Sequence, residues 1–125
     1  MQNATINVKT LLEKKELLEK RHTKEFLVEV KDLGVFKFRT PTTGDILDSQ
    51  TYNDGEDDDE FIIYTCCIEP NLKDKELLEG YGVKEPVKII EKLFLPGESK
   101  RIATLLIEAA GYKEEIAKVI DDTKN

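Results

Sequence analysis

The stretch EPVKIIEKLFLPGESKRIATLLIEAAGY, residues 85–112, decides the fold, because it reads as two helices joined by one tight corner. Pro86 fits the first turn of a helix, where its missing N–H costs nothing. Val87, Ile90 and Phe94 recur at helical spacing, and Ile89 and Leu93 widen the stripe. Leu95-Pro96-Gly97-Glu98 then breaks that helix and starts another. Pro96 disfavours the α conformation at Leu95. Glu98 puts a carboxylate in the positive first turn of the next helix. Ile102, Leu105, Leu106 and Ala109 follow at i, i+3, i+4 and i+7, and Gly111 stands where a C′ glycine belongs. Ala103, Ile107 and Ala110 fill the neighbouring stripe, so the second helix is expected to be buried on two sides and central.

Working back toward the N-terminus, Lys75 and its neighbours predict a short helix over 74–79, ended by Gly80 and Gly82. Residues 61–68, FIIYTCCI, fit two readings. Their β-branched and aromatic content suits a buried strand. The acidic residues before them and Glu69-Pro70 after them suit a helix, toward which the reading leans, though periodicity cannot decide for so short a run. Pro41-Thr42-Thr43-Gly44-Asp45 is a helix start with a Thr42 or Thr43 cap, and the helix runs to about Tyr52 with Ile46 and Leu47 inward. Before it the period is two. Phe26, Val28 and Val30 alternate with Glu25 and Glu29, and Phe36 and Phe38 alternate with Lys37 and Arg39 across a Lys31-Asp32-Leu33-Gly34 turn. That pattern predicts one β-hairpin with an apolar face resting on helices. Val8, Leu11, Leu12 and Leu18 predict an amphipathic helix over 8–21, whose narrow apolar face needs something to dock on. Residues 1–7 and 121–125 are expected to be loose, and 114–120 to form a weak final helix.

The expectation is one α+β, mainly helical domain spanning all 125 residues. No apolar run approaches a membrane span. The N-terminus has no basic region followed by an apolar one, so no signal peptide is expected. A net charge of −7 argues against sequence-independent nucleic-acid binding, which needs a cationic surface. Adjacent Cys66 and Cys67 are expected to be free thiols in a reducing cytoplasm.

Catalytic chemistry finds little support. His22 is the lone histidine and sits among Arg21, Thr23 and Lys24, as a solvated helix-end residue would. Cys66 and Cys67 lie in an apolar run, which disfavours the thiolate that a Cys–His pair needs. The acidic block Asp54, Glu56, Asp57, Asp58, Asp59, Glu60 invites a cation, but the EF-hand order fails. Counted from Asp54, the sixth position is Asp59 where glycine belongs. A solvated acidic loop is the plainer reading. No phosphate loop, zinc spacing or nucleophile elbow is present. The charge is unevenly spread, with Lys9, Lys14, Lys15, Lys20, Arg21 and Lys24 near the N-terminus and the acidic block far from them. Such asymmetry suits docking onto a charged partner or between copies, that is, self-association.

An ordered set of short stretches resembles the XkdN-like tail assembly chaperones of contractile-tailed phages and defective prophages of Gram-positive bacteria. Phe36-Lys37-Phe38-Arg39 precedes Thr42-Thr43-Gly44-Asp45, and Ile68-Glu69-Pro70-Asn71-Leu72-Lys73-Asp74 follows. Glu79-Gly80-Tyr81-Gly82-Val83, Leu93-Phe94-Leu95-Pro96-Gly97-Glu98 and Ala110-Gly111-Tyr112 complete the set. Order and spacing cover about residues 5–115. The acidic insertion and the cysteine pair fit the family less well. The resemblance implies a small helical protein with a hairpin, a helix over 61–68, no catalysis and no cofactor. It implies the tape measure protein and the tail tube protein as partners, work in the bacterial cytoplasm and absence from the mature virion. It transfers no functional residue, so no catalytic, cofactor or metal site is assigned. The rival expectation is a small acidic regulatory or metal-responsive binding protein using residues 54–60.

Overall fold

The computed structural model describes residues 4–113 and 116–120. Seven α-helices and one three-stranded antiparallel sheet are found among them. The order is α1 (Val8–Glu13), α2 (Lys15–His22), β1 (Glu25–Val30), β2 (Gly34–Arg39), α3 (Thr43–Thr51), α4 (Asp58–Cys66), β3 (Cys67–Glu69), α5 (Lys75–Gly80), α6 (Ile89–Leu93) and α7 (Pro96–Ala109). Short 3-10 turns at Tyr52–Gly55 and Pro86–Lys88 lead into α4 and α6.

The deciding stretch folds as its sequence predicts. Pro86 opens a 3-10 turn that runs into α6, and Val87, Ile89, Ile90 and Phe94 are buried. At the corner Pro96 is the first helical residue, and the Glu98 carboxylate accepts the Leu95 N–H at 2.8 Å. At the far end of α7, Gly111 has φ +101°. Its N–H donates to Glu108 C=O at 2.9 Å, and the Tyr112 N–H reaches Ile107 C=O at 3.4 Å, the two bonds of a Schellman cap. Leu106 is fully buried.

The central helix, however, is α4 and not α7. Ile62, Ile63 and Cys66 are buried on α4, which lies against α3, α6 and α7. On α7, Ile102, Ala103 and Leu106 are buried, but Ala109 is exposed. The short apolar run of α4 has almost no polar side, which is why periodicity could not orient it.

Residues 61–68 satisfy both readings in turn. They are helical through Cys66, and at Cys67 the chain becomes β3 without any intervening loop. β3 adds a third strand to the expected hairpin, pairing Phe38 with Cys67 and Lys37 with Glu69 across a register shift. The 30–34 turn and the facing of Phe26, Val28, Val30, Phe36 and Phe38 are as expected, with Phe36 packed on Phe94 at 5.2 Å between ring centroids.

Other expectations need correcting. The first helix is broken at Lys14, whose ψ of 10° leaves the helical range, so it becomes α1 and α2. Asn7 is its cap, its side chain accepting the Thr10 N–H at 2.8 Å. Leu47 points outward and Ser49 takes its place, buried with its hydroxyl donating to Ile46 C=O. The acidic block is no plain loop, because Asp58, Asp59 and Glu60 form the first turn of α4, where the helix dipole favours them. The final helix over 114–120 is absent from 116–120, and Glu114 and Glu115 lie outside the described residues, as do residues 1–3 and 121–125.

Candidate functional site

A cleft of about 1180 Å³ opens between the end of α2, strand β1, the corner at Thr40–Ile46 and the C-terminal turn of α7. Its apolar lining comes from Phe26 and Val28 on β1, Ile46 on α3, Leu105 on α7 and Ala110 just past it, and His22, Thr40, Thr42 and Thr43 line it as well. Phe26, Val28, Ile46 and Leu105 are only half-buried, so each has apolar surface left over in the free chain. Charged side chains stand around it, Arg21 and Lys24 on one side and Glu108 and Lys113 on the other.

Local bonding fixes the cleft walls. Thr40 is buried, its backbone N–H donating to Lys24 C=O at 2.9 Å and its hydroxyl to the same oxygen at 3.0 Å. That bond closes the open end of the hairpin. Two residues on, Thr42 and Asp45 form a capping box: Asp45 N–H donates to the Thr42 hydroxyl at 3.1 Å, and Thr42 N–H to the Asp45 carboxylate at 2.8 Å. The same carboxylate accepts from Arg39 Nη1 at 2.6 Å, and Arg39 Nη2 reaches Thr65 C=O at 3.4 Å. One guanidinium therefore joins β2, α3 and α4. Burial alone would raise the Asp45 pKa, but the Arg39 and Thr42 donors outweigh it and hold the carboxyl below its ordinary value. The bond to Asp45 in turn raises the Arg39 pKa.

The acidic block is tied down at the other end of α4, its N-terminus. Asp57 accepts from Lys88 Nζ at 3.0 Å and from the Asn53 amide at 2.6 Å. Glu60 and Glu91 lie 3.9 Å from the same ammonium, and Asp59 lies 3.7 Å from Lys100. The bonds from Asn53 and then Lys88 lower the Asp57 pKa, and the bond to Asp57 raises that of Lys88. Burial, then repulsion from Glu91, raises the Glu60 pKa. Its Oε2 is buried without a hydrogen-bond partner. Tyr52 donates to Glu85, and that bond pushes its pKa up to about 12. Among the described residues, no group of three His, Cys, Asp or Glu side chains is placed to hold a metal ion.

The residues weighed for chemistry are kept apart. His22 is exposed at the end of α2 and lines the cleft. Cys66 is fully buried, and burial pushes its pKa up to about 12; Cys67 is half-buried, raised by burial to about 11. Neither thiol lines the cleft, and both are free. Sequence reasoning missed the cleft itself. Its only sequence signal is the apolar alternation of β1, which says that Phe26 and Val28 need a cover and not that the cover is partial.

The fold and cleft define a small α+β protein with an open cleft whose lining mixes apolar, hydroxyl and charged side chains. The crystal structure of the protein yqbn is similar to it, at 26% identity and a TM-score of 0.57, over 73% of this chain and 87% of that one. No curated protein matches it. The family model described as phage XkdN-like tail assembly chaperone protein matches residues 8–124. The chain belongs to that family. Among the described residues no helix is long and apolar enough to cross a membrane.

Proposed function

We propose that this chain is a non-enzymatic chaperone that binds the tape measure protein of its phage and assists the tail tube protein in assembling around it. It does so in the cytoplasm of the bacterial host and is absent from the finished virion. The observation that carries this reading is an open cleft in which the half-buried apolar side chains Phe26, Val28, Ile46 and Leu105 stand among polar and charged ones. A groove of that kind accepts the apolar face of an amphipathic helix, with anchors at i, i+3, i+4 and i+7. A second apolar surface lies on α1 and α2, where Val8, Leu11, Leu12 and Leu17 are exposed. Repeated weak contacts along a long client supply avidity.

Co-expression with the tape measure protein tests it. The client becomes soluble and co-purifies with more than one copy of this chain. A client that stays insoluble, with no complex at low salt and the tail tube protein also supplied, overturns the reading. The rival, a metal-responsive protein using residues 54–60, predicts a melting shift of several degrees on adding millimolar Ca²⁺. We expect none above about one degree, because Asp57 and Asp59 already face the ammonium groups of Lys88 and Lys100.

A further inference from the structure

The cleft carries charge of the opposite sign to the chain. Its cationic lining residues are Arg21, Lys24 and Lys113, against Glu108 among the described residues, whereas the chain as a whole has a net charge of −7. Lys37, Arg39, Lys88 and Lys100 each face a carboxylate, but Arg21 and Lys24 form no ion pair among the described residues. Both are exposed, so their charge is open to a ligand. Lys24 also stands in line with apolar side chains of the cleft. Its C=O accepts the Thr40 N–H, which continues the β1–β2 ladder one residue past the Glu25–Arg39 pair. Side chains alternate along a strand, so Lys24 shares a face with Phe26 and Val28. All three line the cleft, and the two apolar ones are half-buried.

Neighbours on one face of a strand are about 6.8 Å apart, and side chains four apart on a helix stand about 6 Å apart along its axis. A helix laid along β1 therefore sets apolar side chains four residues apart over Val28 and Phe26. One further step of four brings its next side chain to Lys24. An apolar side chain there covers the ammonium without pairing it, a lysine repels it, and a carboxylate complements it. Resting on the client reading above, and narrowing it, we propose that the cleft takes an acidic amphipathic helix: apolar side chains at two positions four apart, then a carboxylate at the next, against Lys24 at the end where Arg21 also lines the cleft. The field of the whole chain favours the opposite partner, a cationic helix, so the sign of the preference separates local recognition from general attraction.

Fluorescence anisotropy of labelled synthetic peptides tests this on the full chain, with peptides of about 18 residues so that a helix can form. One peptide carries leucines at two positions four apart and glutamate at the third, and its mates carry glutamine or lysine at that third position. At low salt the glutamate peptide binds at least about tenfold more tightly than the lysine peptide, with glutamine between them, and the ratio shrinks as salt is raised. Lys24→Glu inverts the order of the glutamate and lysine peptides. If the reversed charge next to Glu25 disturbs the fold, Lys24→Gln decides, because it must cut the ratio without inverting it. Peptides that bind with no charge preference overturn the proposal and leave helix binding standing. An order set by net charge, with lysine tightest, overturns it too. So does the absence of any peptide binding, in which case co-expression alone judges the tape measure reading. Binding that emerges only after Ile116→Asp with Val119→Asp would make the chain's own C-terminal residues the occupant, and a Lys24→Glu effect on sedimentation with none on peptide affinity would make it a second copy. Either result overturns the proposal.

Discussion

The N-terminal helices and the α6–α7 stretch carry the same kind of signal and meet different fates. Both show apolar residues at helical spacing. No residue of α1 or α2 is buried, whereas Ile89, Ile90, Ile102, Ala103 and Leu106 are buried on α6 and α7. The difference is one of stripe width and company. The α7 stripe is flanked by small residues such as Ala103, which let α4 come close. The α1–α2 stripe is a single row of leucines flanked by lysine and glutamate, and the break at Lys14 divides it. A helical period shows which residues share a face, and the width of the stripe shows whether the fold itself covers it.

Leu106→Ala is the hardest test of that contrast. It should cost about 2–5 kcal/mol in urea unfolding, as a fully buried leucine does. A loss under about 1 kcal/mol would mean that the α4–α7 contact is not the core. Asp45→Asn comes next, at about 1–3 kcal/mol, because it leaves Arg39 without its carboxylate. The sign of its pH dependence is fixed by the lowered pKa. The Asp45 contribution is present above the ordinary carboxylate value and is lost as pH falls through the lowered folded-state value. The variant should therefore lose less stability than the wild type on acidification.

Glu60→Gln should act the other way and by less. Burial raises the Glu60 pKa, so the folded chain holds that proton more tightly than the unfolded chain. Its contribution is fully present below the ordinary glutamate value and is lost as pH rises through the raised one. The variant should gain up to about 1 kcal/mol at pH 7 and flatten the stability curve through that window. A loss at pH 7 would instead mean that attraction from Lys88 dominates. Leu12→Ser with Leu17→Ser should have the smallest effect on stability, within about 0.5 kcal/mol, because both side chains are exposed. The same pair should reduce co-purification of the tape measure protein. A large destabilisation would break the contrast between the two regions.

Much of this fold is legible in the sequence where one residue type has a local job. Pro86, Pro96, Thr42, Asp74 and Gly111 mark the start or end of helical segments where they were read. The alternation from Phe26 to Phe38 gives the hairpin and its buried face. What sequence hides is tertiary. Nothing in Cys67-Ile68-Glu69 says that β2 lies beside it, since three residues are too few for a period. Nothing in Asp57 or Glu60 says that Lys88, about thirty residues on, will stand between them. The cleft is harder still, because it is bounded by three segments distant in sequence, and only the apolar surplus of β1 hints at it.

The direct passage from α4 to β3 has a mechanical consequence. With no loop between Cys66 and Cys67, the helical layer and the sheet share one stiff joint and cannot slide past each other. Opening either one strains the other, so their amides should exchange with solvent as a single slow unit while α1 and α2 exchange early. The two thiols sit on either side of this joint. Cys66 is fully enclosed, with its pKa pushed up to about 12, and it can react only when the joint has come apart. The rate at which a thiol reagent consumes Cys66 is thus a clock for whole-molecule opening, built into the chain at the place where its two layers are riveted together.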